Sequence, residues 1–251
     1  MPDAVFVIDP GHGFPELGAV GPSGYTEAEA NIDVVARLVE LLSAPRDIDP
    51  ALGKVTPGTQ IPAAAAVIAT RAPDGPVEGD YELGLTYRAT IGNSVDATAA
   101  LSLHHNTEPT RDLDRPGSSA FVSATDPDSA RLGGLLVEEL RSGLGRFEAN
   151  WVGGQGDGLT SRVGSDGDDY YTFLAMSEVT AVIVEGAYIS NPSEEALIMT
   201  PEFRQAYAEA VYRALVRYMD GEESPLPAPE PELFDVEAPP RSMDDCVVPR
   251  P

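Results

Sequence analysis

Val5-Phe6-Val7-Ile8-Asp9-Pro10-Gly11-His12-Gly13 opens the chain with four apolar residues, a carboxylate, and a histidine in a glycine-flanked turn. A short unbroken apolar run of this kind reads as a buried-type strand. A glycine- and proline-rich loop follows through Gly24 and leads into an amphipathic helix, with Ile32, Val35, Leu38, Val39 and Leu42 at helical spacing. The helix start is marked by Thr26-Glu27-Ala28-Glu29, a capping box with Thr26 as N-cap and Glu29 reaching back from the third helical position. Strand, loop and helix in this order make the first half of a βαβ unit, the building block of a parallel sheet.

The alternation continues outward from that segment. Residues 64–70, 97–103, 121–123 and 181–185 read as strands, and residues 83–95 and 129–144 as helices. Residues 44–62 hold Pro45, Pro50, Pro57 and Pro62 and read as an irregular excursion. Residues 145–169, glycine-rich and polar, read as a surface loop. Asn191-Pro192 and Thr200-Pro201 each open a helix, and the last helix buries Phe203, Tyr207, Val211, Leu215 and Tyr218 on one face. After Gly221 the prolines at 225, 227, 229, 231, 239 and 240 alternate with acidic residues and apolar periodicity ends. The pattern predicts an α/β fold: a single domain over 1–220, a mostly parallel twisted sheet with helices on both faces, and a disordered acidic, proline-rich C-terminal tail over 221–251.

Composition narrows the partners. A formal net charge of -25 excludes a nucleic-acid binder and adhesion to an anionic membrane surface. No stretch approaches the roughly 20 apolar residues of a membrane span, so no membrane insertion is expected. The single cysteine, Cys246, rules out an internal disulfide and a cysteine-rich zinc site. There is no Gly-x-Ser-x-Gly elbow, which leaves covalent catalysis by Ser or Cys without support. Oligomeric state leaves no mark in the sequence.

All three histidines sit where an apolar run gives out: His12 after the first strand, His104 and His105 after Leu103. In an open α/β sheet, ligands bind at the carboxyl ends of the strands. Glu27, first residue of the first helix, is placed to point a carboxylate at the same end of the sheet, although the helix dipole alone would favour an acid there. Two histidines, one carboxylate and an open position form a familiar catalytic zinc set. His104 and His105 are adjacent on a strand, so their side chains point to opposite faces, and spacing does not choose between them. Glu185 ends the run Thr180-Ala181-Val182-Ile183-Val184, where nothing polar accompanies it. A carboxylate so placed suits a general base or acid; the plain alternative is an ion pair to Arg162 or Arg88.

These blocks resemble the zinc-dependent N-acetylmuramoyl-L-alanine amidases of the amidase-3 group. Val7-Ile8-Asp9-Pro10-Gly11-His12-Gly13, with Gly18 to Gly24, Glu27 and Asn31, is similar to the family's opening. Ser102-Leu103-His104-His105-Asn106 is similar to its Ser-Ile-His-x-Asn, and Val184-Glu185-Gly186-Ala187-Tyr188-Ile189-Ser190-Asn191-Pro192 to its Val-Glu-Gly-Gly-Phe-Ile-Ser-Asn-Pro. The resemblance implies His12, Glu27 and His104 as ligands of Zn2+ and Glu185 as the catalytic glutamate. It selects His104 over His105, because one variable residue and then Asn follow the family's ligand. Asp9 and Asn106 are candidates for orienting the ligands, with strand-end capping as the alternative.

The implied activity is hydrolysis of the amide between N-acetylmuramic acid and L-alanine, with peptidoglycan or a muropeptide as substrate. The alternatives are a zinc hydrolase acting on another peptide-like amide, and a catalytically silent peptidoglycan-binding homologue. The resemblance implies a cell-wall or extracellular location. The first strand begins at Val5 with no signal peptide before it, so the expected routes are export with the signal trimmed away or phage-type release from the cytoplasm.

Overall fold

The opening apolar run forms β1 (Val5–Pro10), followed by α1 (Glu27–Leu42), β2 (Arg46–Ile48), β3 (Val55–Pro57), β4 (Ala66–Ala69) and α2 (Leu85–Ser94). The middle of the chain holds β5 (Ala99–Asn106), β6 (Arg111–Asp112), β7 (Ser119–Val122), α3 (Pro127–Leu144), β8 (Val152–Gly153), β9 (Leu159–Thr160) and β10 (Arg162–Val163). The rest is α4 (Thr172–Ala175), β11 (Ala181–Tyr188), α5 (Pro192–Ile198), α6 (Pro201–Met219) and β12 (Glu232–Leu233). The structure is a computed structural model that describes residues 1–13, 16–71, 84–154 and 158–234.

Six strands form the central sheet in the order β4-β1-β5-β11-β7-β9. β4, β1, β5 and β11 run parallel, and β7 pairs antiparallel with β11. Side chains alternate across this sheet and two cores result. Phe6 and Ile8, Leu101 and Leu103, and Val182 and Val184 face the larger core under α1, α3 and α6. Val7, Ala100 and Ile183 face the opposite way, against Ala89 of α2 and Phe173 and Leu174 of α4. Helices therefore cover both faces of a mostly parallel sheet, as the alternation predicts. The same pleat carries Asp9, Ser102, His104 and Glu185 onto the α2/α4 face and His105 onto the other.

The capping box forms as read: Glu29 N–H donates to Thr26 Oγ1 and Thr26 N–H to Glu29 Oε2. α3 starts ahead of the predicted 129 because Asp126 caps it and Pro127 takes the first helical position. Residue 83 of the expected second helix lies outside the described residues. The proline-rich stretch 44–62 is a β2–β3 hairpin rather than an irregular excursion. Asp47 Oδ1 there accepts the N–H groups of Thr59 and Gln60 at 2.7 and 2.8 Å, polar closure that hydrophobic periodicity does not reveal.

Among its described residues the 145–169 segment carries three two-residue strands, too short to show any period; β9 extends the main sheet beside β7 and β10 pairs with β12. Residues 222–234, expected to begin a tail, run back over the domain. Ser224 crosses α3 at Gly134, where a Cβ would stand 1.8 Å from Ser224 Oγ. At neighbouring Gly133 a Cβ would meet Val122 Cγ1 at 2.5 Å. Each glycine costs a helix about 1 kcal/mol relative to alanine. Here the pair lets α3 fit between the sheet and the crossing chain. The tail over 235–251 lies outside the described residues.

Candidate functional site

The carboxyl ends of β1, β5 and β11 are neighbours, with Pro10 beside Leu103 and His104 beside Glu185. Backbone at this end is drawn in closely, for a Cβ on Gly11 would stand 2.1 Å from His104 Cε1. His12 has a φ of 64°, the left-handed region that non-glycine residues seldom occupy. Its ring meets the His104 ring edge to face, with centroids 4.8 Å apart.

Glu27 joins the two imidazoles. Its Oε2 lies 3.2 Å from His12 Nε2 and its Oε1 2.9 Å from His104 Nδ1. The buried carboxylate also accepts the backbone N–H groups of Ala19 at 3.0 Å and His105 at 3.1 Å. Burial opposes its ionisation, but the hydrogen bonds and charges of His104 and His12 outweigh burial and hold its pKa well below the usual carboxylate range. Burial likewise opposes a proton on His12, and Glu27 and Glu16 raise its pKa in spite of it. Among the described residues, His12, Glu27 and His104 form a set whose donor atoms all lie within 4.8 Å of one another. Two imidazole nitrogens and one carboxylate oxygen suit a divalent transition metal. The cradle is tight: a Cβ on Gly18 would fall 2.5 Å from His12 Cδ2 and 2.7 Å from Glu27 Oε2.

The outer nitrogens of both imidazoles are engaged. Glu16 meets His12 Nδ1, and Ser102 Oγ lies 3.0 Å from His104 Nε2. Ser102 Oγ donates to Asp9 Oδ2 at 2.6 Å, and Arg88 Nη1 pairs with Asp9 Oδ1 at 3.1 Å. Burial pushes the Asp9 pKa up, but Arg88, Ser102 and Thr70 together bring it below its usual value. Asp9 thus reaches His104 through Ser102. Asn106 takes the other reading, capping: its Oδ1 accepts Thr107 N–H at 2.8 Å.

Glu185 lies beside His104 on the same face, with its Oε2 enclosed and lacking a hydrogen-bond partner among the described residues. Burial, and then the charge of Glu27, push its pKa well above the usual carboxylate value. Neither arginine considered for it serves as its partner: Arg88 binds Asp9, and Arg162 Nη1 donates to Tyr171 OH at 2.7 Å. His105 lies on the far face, its Nδ1 2.8 Å from Asn31 Oδ1 and its ring edge-on to Tyr207. Burial lowers its pKa to about 4.

Sequence reading gave no role to Ser102 or Glu16, offered Arg88 only as a partner of Glu185, and took Tyr207 as core alone. Ser102 has a visible signal, as the lone hydroxyl inside the apolar run of β5. Tyr207 has none, since it reads as core. Its hydroxyl donates to His104 O at 3.1 Å and Val184 O at 3.2 Å, fastening the ends of β5 and β11 together. Beside the cluster opens a cleft of about 820 Å³ lined by Glu185, Arg88, Arg162, Tyr171, Phe121 and Thr160.

The N-acetylmuramoyl-L-alanine amidase family model matches residues 6–217. The germination-specific N-acetylmuramoyl-L-alanine amidase of Bacillus subtilis is 23% identical over 229 residues, covering 88% of this chain and 82% of the relative. The amidase AmiC of Neisseria meningitidis is 27% identical over 238 residues, and the match spans 86% of this chain but 53% of AmiC. In fold, the N-acetylmuramoyl-L-alanine amidase of Clostridium difficile 630 superposes with a TM-score of 0.65 at 20% identity, covering 88% of this chain and all of that one. The family match takes in β1, α1, β5 and β11 together, and with them the whole His12–Glu27–His104 cluster and Glu185. The chain belongs to the N-acetylmuramoyl-L-alanine amidase family.

Proposed function

We propose that this chain is a zinc-dependent hydrolase of the amide bond between N-acetylmuramic acid and L-alanine in peptidoglycan, acting at the cell wall. The observation that carries the reading is the convergence of His12, Glu27 and His104 donor atoms within 4.8 Å, with Glu185 on the adjacent strand. His12, Glu27 and His104 would hold the zinc. When bound, zinc supplies Lewis acidity to the scissile carbonyl and to the attacking water.

Glu185 moves the proton. Its buried carboxylate takes a proton from water as the water oxygen attacks the amide carbon. Once protonated, it donates to the nitrogen as the C–N bond breaks, and L-alanine leaves with a free amino group. A pKa raised by burial suits the proton-accepting half of this exchange, because it makes the ionised form a stronger base. Ser102 and Asp9 keep the His104 ring fixed, and Glu16 does the same for His12. The substrate is held by the cleft rather than by bulk attraction, since wall polymers are often anionic and the chain carries -25. No helix among the described residues is long and apolar enough to cross a membrane.

A synthetic muramoyl-tripeptide tests the bond assignment. Mass spectrometry should find intact muramic acid and a tripeptide with a free alanine amino group. Cleavage between amino acids of the stem would favour a peptidase. Binding without any cleavage would favour a silent homologue.

A further inference from the structure

We propose that Arg162 recognises a carboxylate of the stem peptide, and that residues 222–234, beyond the part of the chain that matches the family, complete its seat. The proposal rests on the peptidoglycan reading above and names what the cleft selects.

Acidic residues outnumber Lys and Arg by 41 to 16 in this chain, yet Arg162 projects into the cleft with no carboxylate paired to it among the described residues. Arg88, in the same cleft, is already committed to Asp9 and to the carbonyls of Pro10 and His12. The Arg162 guanidinium carbon lies 5.1 Å from the ring centre of Phe121 and 4.7 Å from that of Phe234. Tyr171 OH accepts from Nη1, and Nε is enclosed without a partner among the described residues. Aromatic rings against a guanidinium leave its in-plane N–H edge as the route to a ligand. A partly desolvated cation with spare donors in a fork is matched best by a carboxylate, which can accept two parallel hydrogen bonds. The stem peptide carries carboxylates and would lie in this cleft once its amide reaches Glu185.

Phe234 is delivered by the chain that crosses α3. β12 pairs in parallel with β10, Glu232 N–H donating to Ser161 O and Phe234 N–H to Val163 O, both at 2.9 Å. The Phe234 ring is held edge-on by Tyr170, with centroids 4.6 Å apart. Leu226 packs on the main core upstream, so the strap has an anchor of its own.

Two muramoyl-tripeptides test this, one with free stem carboxylates and one with those groups as carboxamides. The wild-type chain should favour the acid form by at least about tenfold in kcat/KM, mainly through KM, as the loss of a charged hydrogen bond implies. Arg162→Gln should bring the ratio close to one. Phe234→Ala should reduce it, and Phe234→Tyr, which keeps a ring, should restore it. Equal use of both substrates by the wild type, or an undiminished ratio in Arg162→Gln, would overturn the role of Arg162. An undiminished ratio in Phe234→Ala would overturn the part given to the strap. Cleavage of neither substrate by the wild type would overturn the amidase reading and this proposal with it.

Discussion

Ser102 Oγ lies 3.0 Å from His104 Nε2, and this contact decides which nitrogen of the imidazole is left for a metal. With Nε2 held by a hydroxyl that itself donates to buried Asp9, Nδ1 faces Glu27 at 2.9 Å. Partners of this kind typically contribute 10- to 100-fold to metal affinity, or about 1.4–2.8 kcal/mol. Ser102→Ala should weaken zinc binding by about that factor, read by competition with a coloured chelator. Unchanged affinity would show that the ring is fixed by other contacts.

Glu185→Gln removes the proposed proton acceptor and leaves His12, Glu27 and His104 intact. It should bind zinc as the wild type does and lose about 10²–10⁴-fold in muropeptide cleavage, the usual contribution of a general acid/base. Steady-state rates and metal analysis on the same preparation check both halves. A fully active Gln variant would remove Glu185 from the mechanism.

If His12, Glu27 and His104 hold zinc as proposed, His105→Ala should bind it as the wild type does, because the ring lies on the opposite face of β5 from the cluster. The substitution leaves Asn31 Oδ1 short of its partner in a buried setting, and an unmade bond there costs about 1–3 kcal/mol. The expected result is a lower melting temperature with one equivalent of metal still bound. Loss of the metal would mean that the histidine pair is assigned the wrong way round.

Glu194 gives a pH signature away from the cluster. It accepts the backbone N–H groups of Val152 and Tyr188, both at 2.8 Å, and so ties β8 to the end of β11. Burial pushes its pKa up to about 7, against the pull of those two N–H groups. A raised acid keeps its proton longer in the folded chain than in the unfolded one, so its contribution to stability is present at low pH and is lost as pH rises from about 4.5 through about 7. Between pH 5 and 8 the wild type should lose melting temperature relative to Glu194→Gln, which cannot titrate. A parallel fall in both proteins would contradict the assignment.

Much of the site is legible in the sequence because strand ends are. The apolar runs before His12, His104 and Glu185 place all three at one end of a parallel sheet, and the capping box sets Glu27 at the start of α1. Strand alternation separates His104 from His105, but which face holds the cluster depends on where α2 and α4 pack, a tertiary fact that spacing does not carry. Ser102 and Asp9 share that face, and the two polar residues in otherwise apolar strands are its faint trace. The hairpin at 46–57 and the strap at 222–234 escape notice for another reason. They are closed by Asp47 turns, two-residue strands and room made by Gly134, none of which has a hydrophobic period.

The central claim is that a metal held by His12, Glu27 and His104 drives cleavage of the muramoyl–alanine bond. Its most direct test is incubation of purified peptidoglycan with the chain as prepared, after removal of metal by a chelator, and after zinc is restored, scoring released stem peptides by mass. Stem peptides with free alanine amino termini should appear in the first and third samples and be lost in the second. Equal release from the metal-free sample, or fragments cut at another bond, would contradict the claim.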